Sequence, residues 1–178
     1  MQITVDGYVA GPNGEMDWMT QGMDKDLMNL IMQIHEPVDG IILGRKLAEG
    51  FIPYWTAAVA DPKTDNAFAR KMVDTPKVVF TKTLERSAWA NTMLAKGDLV
   101  EEVTKLKQQP GGDIIVYGGA SFVSDLIKHD LIDELYLAVN PVAIGKGMSI
   151  FNERTYLTLV TATPYSTGEV VLQYQLSK

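Results

Sequence analysis

Residues 113–137, DIIVYGGASFVSDLIKHDLIDELYL, constrain the fold of this chain more than any other segment. An apolar run is followed by two glycines, an amphipathic stretch and a second run with strand character, which predicts strand, turn, helix and strand. Strands joined through a helix lie parallel in a sheet. Gly118 and Gly119 stand at the mouth of that helix. They allow either a tight turn with unusual dihedral angles or the close approach of a phosphate group to the first N–H groups of the helix.

The same alternation of apolar runs and helical patterns covers most of the chain. MQITV predicts a first strand that ends at Asp6, followed by a glycine-rich loop over 8–22 and a helix over 23–36 that Pro37 ends. The other predicted elements are strands at 38–44, 77–82, 113–119 and 133–145, a minor strand at 91–97, a short helix from Arg45, helices at 64–73, 99–109 (capped by Asp98) and 121–129, and a closing hairpin over 155–176. This order predicts one α/β domain with a mostly parallel sheet and an antiparallel edge. The ligand site is expected at the carboxyl ends of the parallel strands.

Composition and charge exclude several classes of protein. Of the 178 residues, 46% are hydrophobic, which is typical of a globular protein. The formal net charge is −6, so we expect neither a nucleic-acid surface nor a membrane surface. The sequence has no cysteine, which excludes a thiolate metal site, and only two histidines, His35 and His129, which are expected to contact carbonyl groups at helix ends. No leader or membrane-spanning run is predicted, and a cytoplasmic location is expected.

Three strand exits carry residues that suit phosphate groups. They are LGRK with Gly44, Arg45 and Lys46, FTKTLE with Thr81 and Lys82, and YGGASF, where the N–H groups of Ala120, Ser121 and Phe122 are free at a helix start. Backbone donors at a helix start suit a pyrophosphate, and isolated cations suit a further phosphate. Together they predict a dinucleotide with an extra phosphate, which favours NADPH over NADH. Each segment alone is also typical of a plain turn, a solvated helix start or a surface lysine, and no G-x-G-x-x-G fingerprint follows the first strand.

Four motifs give the chain a resemblance to a known family. They are TVDGYVAGPNGEMDW (4–18), DGIILGRKLAEGF (39–51), KVVFTKTLE (77–85) and IIVYGGASFVSDLIKHDLIDELYLAVNPVAIGKGMSIF (114–151). In this order they resemble the dihydrofolate-reductase-like superfamily, and most closely the branch with the C-terminal reductase domain of the riboflavin-biosynthesis deaminase-reductase. The resemblance implies a single domain over residues 1–178 with a three-layer α/β fold, a mostly parallel central sheet and an antiparallel C-terminal hairpin. It also implies NADPH as cofactor, a small-molecule substrate and a homodimer.

The resemblance assigns cofactor roles to three groups of residues. Those matching Gly44, Arg45 and Lys46 meet the cofactor phosphates, those matching Thr81 and Lys82 lie at the adenosine 2′-phosphate, and those matching Gly118, Gly119, Ala120, Ser121 and Phe122 wrap the pyrophosphate. Leu47 stands where the family often has Thr or Ser, so one hydroxyl that would meet a phosphate is missing here.

Substrate contacts are expected from aromatic side chains. Trp18 lies on the loop that is placed to close over the nicotinamide, Tyr54 and Trp55 follow the Arg45 helix, and Tyr117 precedes the paired glycine. Riboflavin-pathway reductases tend to have an acidic residue at the position of Tyr117, so the aminouracil substrate is open to question and a less polar ligand is favoured. The same aromatic residues are also typical of a loop pinned to the core or of a lid over it.

The proton donor has several candidates. Asp26 lies on the first helix near the place where dihydrofolate reductases carry a carboxylate, whereas Asp24 is more typical of a helix N-cap. Asp6 ends the first strand, where it either faces a substrate or holds a turn, and a water molecule could also deliver the proton. We therefore expect an NADPH-dependent reductase of a small heterocyclic substrate, with aminouracil and pterin compounds as candidates. The alternatives are a nucleotide-binding module without turnover and a structural scaffold whose glycines only make turns.

Overall fold

The computed structural model describes residues 1–19 and 25–176, which fall into two compact units. The first unit comprises Met1–Ile31 and Ala120–Lys178, and the second comprises Met32–Gly119. The helices are α1 (Lys25–His35), α2 (Arg45–Ala60), α3 (Ala67–Asp74), α4 (Leu99–Lys107) and α5 (Ala120–Lys128). The strands are β1 (Gln2–Thr4), β2 (Val38–Gly44), β3 (Lys77–Phe80), β4 (Thr92–Ala95), β5 (Asp113–Val116), β6 (Glu134–Asn140), β7 (Leu157–Pro164) and β8 (Val170–Leu176). None of these helices combines the length and the apolar character that crossing a membrane requires.

The second unit is built on a parallel sheet of four strands in the order β4-β3-β2-β5. Ile41, Leu43 and Val79 of this sheet are buried in one cluster with side chains of α2 and α3, among them Met72. Burying a side chain of this size contributes about 1.5–3 kcal/mol. Because β3, β2 and β5 are neighbours and run parallel, their carboxyl ends meet at the same edge of the sheet.

The first unit is built on a mixed sheet of four strands in the order β1-β6-β8-β7. Strand β1 pairs parallel with β6, and β8 pairs antiparallel with both β6 and β7. Leu27 of α1 is buried against Ala138 and Val171 of this sheet. At the end of β6, the buried side chain of Asn140 donates hydrogen bonds to Gln2 Oε1 at 2.6 Å and to the Ala138 carbonyl oxygen at 3.0 Å. The bond to Gln2 ties the short first strand to its neighbour.

The alternation of strands and helices, the parallel pairs and the closing antiparallel hairpin are confirmed. The sequence predicts one sheet, whereas the strands pair as two sheets of four, because a hydrophobic pattern reports the order of elements and not which strands share a ladder. Helix α2 is longer than predicted and continues through Pro53 to Ala60. Proline disfavours a helix interior, but the neighbouring Ile52 is buried in the core and holds the helix in place.

Side chains fix the starts of two helices. Asp98 accepts hydrogen bonds from the N–H groups of Val100 at 2.9 Å and Glu101 at 3.1 Å, so the predicted N-cap of α4 is confirmed. Asn66 accepts from the N–H group of Ala69 at 2.9 Å, and α3 therefore begins three residues later than predicted. Asp24, predicted to cap the first helix, lies outside the described residues.

Candidate cofactor and substrate site

Neighbouring strand ends bring the predicted cofactor residues of the second unit together. Gly44 at the end of β2 pairs with Phe80 at the end of β3, and Ile42 of β2 pairs with Val116 at the end of β5. The segments that follow these strand ends are therefore neighbours, namely Gly44 with Arg45 and Lys46, Thr81 with Lys82, and Gly118 with Gly119. This arrangement agrees with the convergence on one sheet edge that the sequence predicts. The contact of these residues with a cofactor stays a prediction.

The two glycines after β5 differ in the structural reason for having no side chain. Gly118 has a φ of 131°, a conformation that favours glycine because a side chain would be strained there. Its carbonyl oxygen accepts a hydrogen bond from the N–H group of Gly44 at 3.2 Å, and its peptide bond to Gly119 is cis. A Cβ atom added to Gly119 would meet no other atom within 4 Å. Gly118 is thus required by the turn itself, whereas the backbone at Gly119 is open to the close approach of another group.

The start of α2 offers backbone donors with two cations beside them. Gly44 occupies the N-cap position and provides no side chain to accept from the first N–H groups of the helix. Such groups, at the positive end of the helix dipole, suit an anion. Arg45 is paired with Glu49 through Nη1 and Oε1 at 2.5 Å, and Lys46 is exposed. A surface pair of this kind contributes at most about 1 kcal/mol, so Arg45 can exchange Glu49 for a phosphate oxygen at little cost.

The exit of β3 presents a lysine on a fixed turn. The buried Thr81 hydroxyl oxygen accepts the N–H groups of Thr83 and Leu84, both at 3.1 Å. Lys82 lies within this turn, is exposed, and has no ion pair with another described residue. Thr81 therefore shapes the turn, and Lys82 is the cation that it presents.

Lys96 adds a cation at the exit of the strand next to β3, which sequence reasoning did not identify. It follows β4, which pairs with β3, and the N–H group of Thr81 donates to the Ala95 carbonyl oxygen at 3.0 Å. The Lys96 Nζ atom donates to the carbonyl oxygen of Glu85 at 3.1 Å, which closes the loop after β3. A lysine after a short strand is ordinary in sequence, and only the strand order reveals its position.

The predicted aromatic contacts of the second unit belong to one connected set of ring contacts, which Phe51 joins together. Tyr54 is 65% exposed on α2, and its ring meets Trp55 edge-on with ring centroids 5.0 Å apart. Trp55 and Tyr117 are half-buried against the core cluster. The Tyr117 hydroxyl hydrogen-bonds to the ring of His35, and burial raises the pKa of this phenol above its ordinary value. Its polar atom is therefore engaged inside the unit.

His35 is a buried partner that the sequence did not predict. The side chain is 5% exposed, and its Nε2 atom shares the hydrogen bond with Tyr117. Its ring also meets Phe68 edge-on, with ring centroids 5.0 Å apart. A histidine at a helix end is more often found near carbonyl groups, and the sequence carries no signal for a partner 82 residues away.

In the first unit, Asp6 holds a turn. Its Oδ1 atom accepts the Thr4 hydroxyl at 2.6 Å, and its Oδ2 atom accepts the N–H groups of Ile144 at 3.1 Å and Gly145 at 2.8 Å. The hydrogen bond from Thr4, with further contributions from the two N–H groups, lowers the pKa of Asp6. A carboxyl group with a lowered pKa is ionised at neutral pH and is a poor proton donor. Of the two roles left open for Asp6, the geometry favours the turn.

The other predicted residues of the first unit lie in varied surroundings. Asp26 is exposed in the first turn of α1. The Nε1 atom of Trp18 is buried and has no hydrogen-bond partner among residues 1–19 and 25–176. Ala120, Ser121 and Phe122 form the first turn of α5, directly after Gly119 in the chain. In the described part of the chain, no three carboxylate or histidine side chains are placed to hold a metal ion. The roles of these residues stay predictions.

Comparison with known proteins identifies the family. Residues 1–171 match the RibD C-terminal domain. The protein YyaP of Bacillus subtilis (strain 168) is 32% identical over 177 residues, which cover 98% of this chain and 91% of YyaP. The solved structure of a protein from Shewanella sp. PV-4 is similar, with a TM-score of 0.78 and 19% identity, and the match covers 100% of this chain and 97% of that protein's chain.

The protein in a second solved structure is named after its activity. It is the diaminohydroxyphosphoribosylaminopyrimidine deaminase/5-amino-6-(5-phosphoribosylamino)uracil reductase of Thermotoga maritima, with a TM-score of 0.69 and 17% identity. The match covers 99% of this chain and 55% of that protein, so this chain spans about half of its length. Likeness at these identities shows the fold, and a dihydrofolate-reductase-like fold is consistent with it. The chain belongs to the RibD C-terminal domain family, as its four motifs predict.

Proposed function

We propose that this chain is an NADPH-dependent oxidoreductase that reduces a small heterocyclic substrate. One observation carries the proposal: an uncapped helix start at Gly44, an exposed lysine at Lys82 and an open backbone at Gly119 follow neighbouring strands of one parallel sheet. Family membership supports a reductase, because the Thermotoga maritima relative is named as a reductase of 5-amino-6-(5-phosphoribosylamino)uracil. Aminouracil and pterin compounds are therefore the first substrates to test.

The residues at these strand ends fit a phosphorylated dinucleotide. The open space at Gly119 and the N–H groups at the start of α2 suit a pyrophosphate, with Arg45 and Lys46 beside them. The exposed ammonium group of Lys82 suits the 2′-phosphate that distinguishes NADPH from NADH. The bound cofactor would supply the hydride, so the task of the protein is to bind and orient the two reactants.

Tyr117 bears on the substrate class. Riboflavin-pathway reductases tend to have an acidic residue at this position, and here the hydroxyl of Tyr117 is engaged with His35. This supports a substrate that is less polar than a phosphoribosylamino-uracil. The exposed ring of Tyr54 beside Trp55 supports a flat ligand, since aromatic rings pack favourably against one another.

A nucleotide-binding module without turnover is the second candidate. It is favoured by the state of Asp6, whose two carboxylate oxygens are both engaged and whose pKa is lowered. With Asp6 committed to a turn, Asp26 and a water molecule are the proton sources that remain among the candidates. Turnover separates the two functions, because only a reductase needs the proton.

The first test is a titration of the purified protein with NADPH and with NADH, followed by nicotinamide fluorescence. We expect NADPH to bind more tightly than NADH. Oxidation of bound NADPH on addition of an aminouracil or a pterin would support the reductase. Tight binding with no oxidation by any compound of either class would support the binding module, and the absence of binding would overturn both.

We also propose a homodimer and a cytoplasmic location, as the family resemblance implies. Strand β7 lies at an edge of the first unit's sheet, and its residues after the first are exposed. Leu159 and Val160 are 53% and 46% exposed on this strand. An exposed edge with apolar side chains needs a cover, and a second copy of the chain would provide one.

A further inference from the structure

Tyr117 is held by its hydroxyl inside the second unit. The hydroxyl hydrogen-bonds to His35 Nε2 and contacts the Met72 sulfur atom at 3.3 Å. His35 is 5% exposed and Met72 is fully buried. The phenol is protonated at neutral pH because its ordinary pKa is about 10, and burial raises this pKa further, so the proton is available for a hydrogen bond.

Aromatic packing fixes the ring of Tyr117 as well. Its centroid lies 4.8 Å from that of Phe51 and 5.7 Å from that of His35. The His35 ring is held in turn by Phe68. Pairs at these separations contribute about 0.5–1.5 kcal/mol each beyond the area that they bury. Tyr117 is thus anchored at both its ring and its hydroxyl.

Tyr117 lies between the end of β5 and the glycine turn. Val116 is the last residue of β5, and Gly118 follows Tyr117 directly. Each residue contributes only two soft backbone dihedral angles, so a fixed side chain at position 117 leaves the next peptide little freedom. The hydrogen bond from the Gly44 N–H group then holds the Gly118 carbonyl oxygen from the other side.

We infer that His35 and Tyr117 form a positioning pair, which holds the Gly118–Gly119 turn in the arrangement that receives the cofactor pyrophosphate. This inference rests on the proposed function, because it concerns the binding of a dinucleotide. Neither residue of the pair needs to touch the ligand. The pair acts on the part of the cofactor that NADPH and NADH share, whereas Lys82 acts on the 2′-phosphate.

Three substitutions test the pair. Tyr117→Phe removes the hydroxyl and retains the ring packing, His35→Leu removes the partner, and His35→Gln retains a side chain that can hydrogen-bond to the phenol. The dissociation constants for NADPH and NADH are measured by fluorescence titration, with the melting temperature recorded for every variant. Tyr156→Phe, the same change on a tyrosine that is 68% exposed, serves as the matched control.

We expect Tyr117→Phe and His35→Leu to weaken the binding of both nucleotides by the same factor of about five, which is the effect of one net hydrogen bond. His35→Gln should recover most of the affinity, and Tyr156→Phe should change neither constant. A lower melting temperature with unchanged dissociation constants would overturn the inference, because the pair would then stabilise only the fold. Failure of the unmodified protein to bind either nucleotide would instead overturn the proposed function, and the inference with it.

Discussion

The N–H group of Gly44 donates a hydrogen bond to the carbonyl oxygen of Gly118 at 3.2 Å. This bond joins the ends of β2 and β5 beyond their last ladder pair, Ile42 with Val116. It holds the start of α2 and the glycine turn in fixed relation to each other. A site that is already ordered loses less conformational freedom when it binds. The two segments that suit a pyrophosphate are therefore preorganised together.

Replacing Lys82 by Ala should weaken NADPH binding by about tenfold and leave NADH binding unchanged, because the ammonium group would meet only the extra phosphate. Fluorescence titration of both nucleotides measures the effect. Lys63→Ala is the control, since Lys63 is exposed in the loop after the far end of the 16-residue helix α2, roughly 24 Å from its start. An equal loss of affinity for NADPH and NADH would mean that Lys82 contacts a part of the cofactor that both nucleotides share.

Replacing Asp6 by Asn should lower the melting temperature and leave the rate of substrate reduction within about threefold of the unmodified protein. Asn keeps one acceptor oxygen, so it cannot accept the Thr4 hydroxyl and the Ile144 and Gly145 N–H groups together. Thermal unfolding and single-turnover oxidation of NADPH measure the two effects. A general acid contributes about 10²–10⁴-fold, so a rate loss of that size would make Asp6 the proton donor.

Replacing Lys77 by Met should lower the free energy of unfolding by about 1–3 kcal/mol. Lys77 is buried at the start of β3, and its Nζ atom donates to the carbonyl oxygens of Val73 at 2.8 Å and Thr75 at 2.7 Å. Met retains the apolar stem but leaves both oxygens without this donor.

Urea unfolding measures the effect of Lys77→Met. Lys71→Met is the matched control, because the Lys71 ammonium group donates to the Glu36 carbonyl oxygen at 3.1 Å in an exposed position, and we expect a change within about 0.5 kcal/mol. A buried charge is costly, and this desolvation lowers the pKa of Lys77. If Lys77→Met stabilised the protein, this cost would exceed the benefit of the two hydrogen bonds.

Stability should fall with pH above about 10 in a way that depends on Tyr117. Burial raises the pKa of this phenol in the folded state. At a pH below the ordinary tyrosine pKa, the phenol is protonated in both the folded and the unfolded state, and its contribution to the free energy of unfolding is fully present. Above that value the unfolded state loses the proton while the folded state keeps it. The free energy of unfolding then decreases by up to about 1.4 kcal/mol per pH unit.

Urea unfolding of the unmodified protein and of Tyr117→Phe between about pH 9 and 11 isolates this contribution. Lys77 acts in the opposite sense in this range, because its folded-state pKa is lowered, but it is common to both proteins. We expect the difference in stability between them to change with pH in favour of the variant. Parallel curves would show that the phenol ionises equally in the folded and unfolded states.

Replacing Leu159 by Lys should shift the protein from dimer to monomer. A charge at the centre of an apolar contact loses its hydration on association, and two copies would place like charges together. Sedimentation equilibrium measures the mass, and Thr161→Lys on the same exposed strand tests whether the effect is specific to the apolar position. A monomeric unmodified protein would remove the basis for the proposed dimer.

Much of the fold follows from local sequence. Strand β2 has the predicted bounds because VDGIILG is apolar and is limited by Pro37 and the helix that starts at Arg45. Asp98 caps α4 because its side chain reaches two free N–H groups. The length of α2 could not be predicted, because the preference of proline for a helix end is overridden by the burial of Ile52. The division of the strands into two sheets depends on non-local pairing.

The candidate site was predictable where its residues follow strands and not where it depends on partners distant in sequence. Gly44, Lys82 and Gly118 were identified because each lies at the end of a strand or within two residues of it. The anchor of Tyr117 on His35 could not be identified, because it joins residues 82 apart through side chains alone. The role of Asp6 could not be decided from the sequence for the same reason: its partners Ile144 and Gly145 are near the opposite end of the chain.

The two units differ in how much of the chain must exist before they can form. All four strands of the second unit lie within one continuous segment, Met32–Gly119. In the first unit, β1 pairs with β6, and Gln2 contacts Asn140, 138 residues later. During synthesis from the amino terminus, β1 therefore waits for its neighbour while the second unit can already assemble. Pairing across such a separation is also slow, so the topology favours an order in which the continuous unit forms first and the first strand joins its sheet near the end.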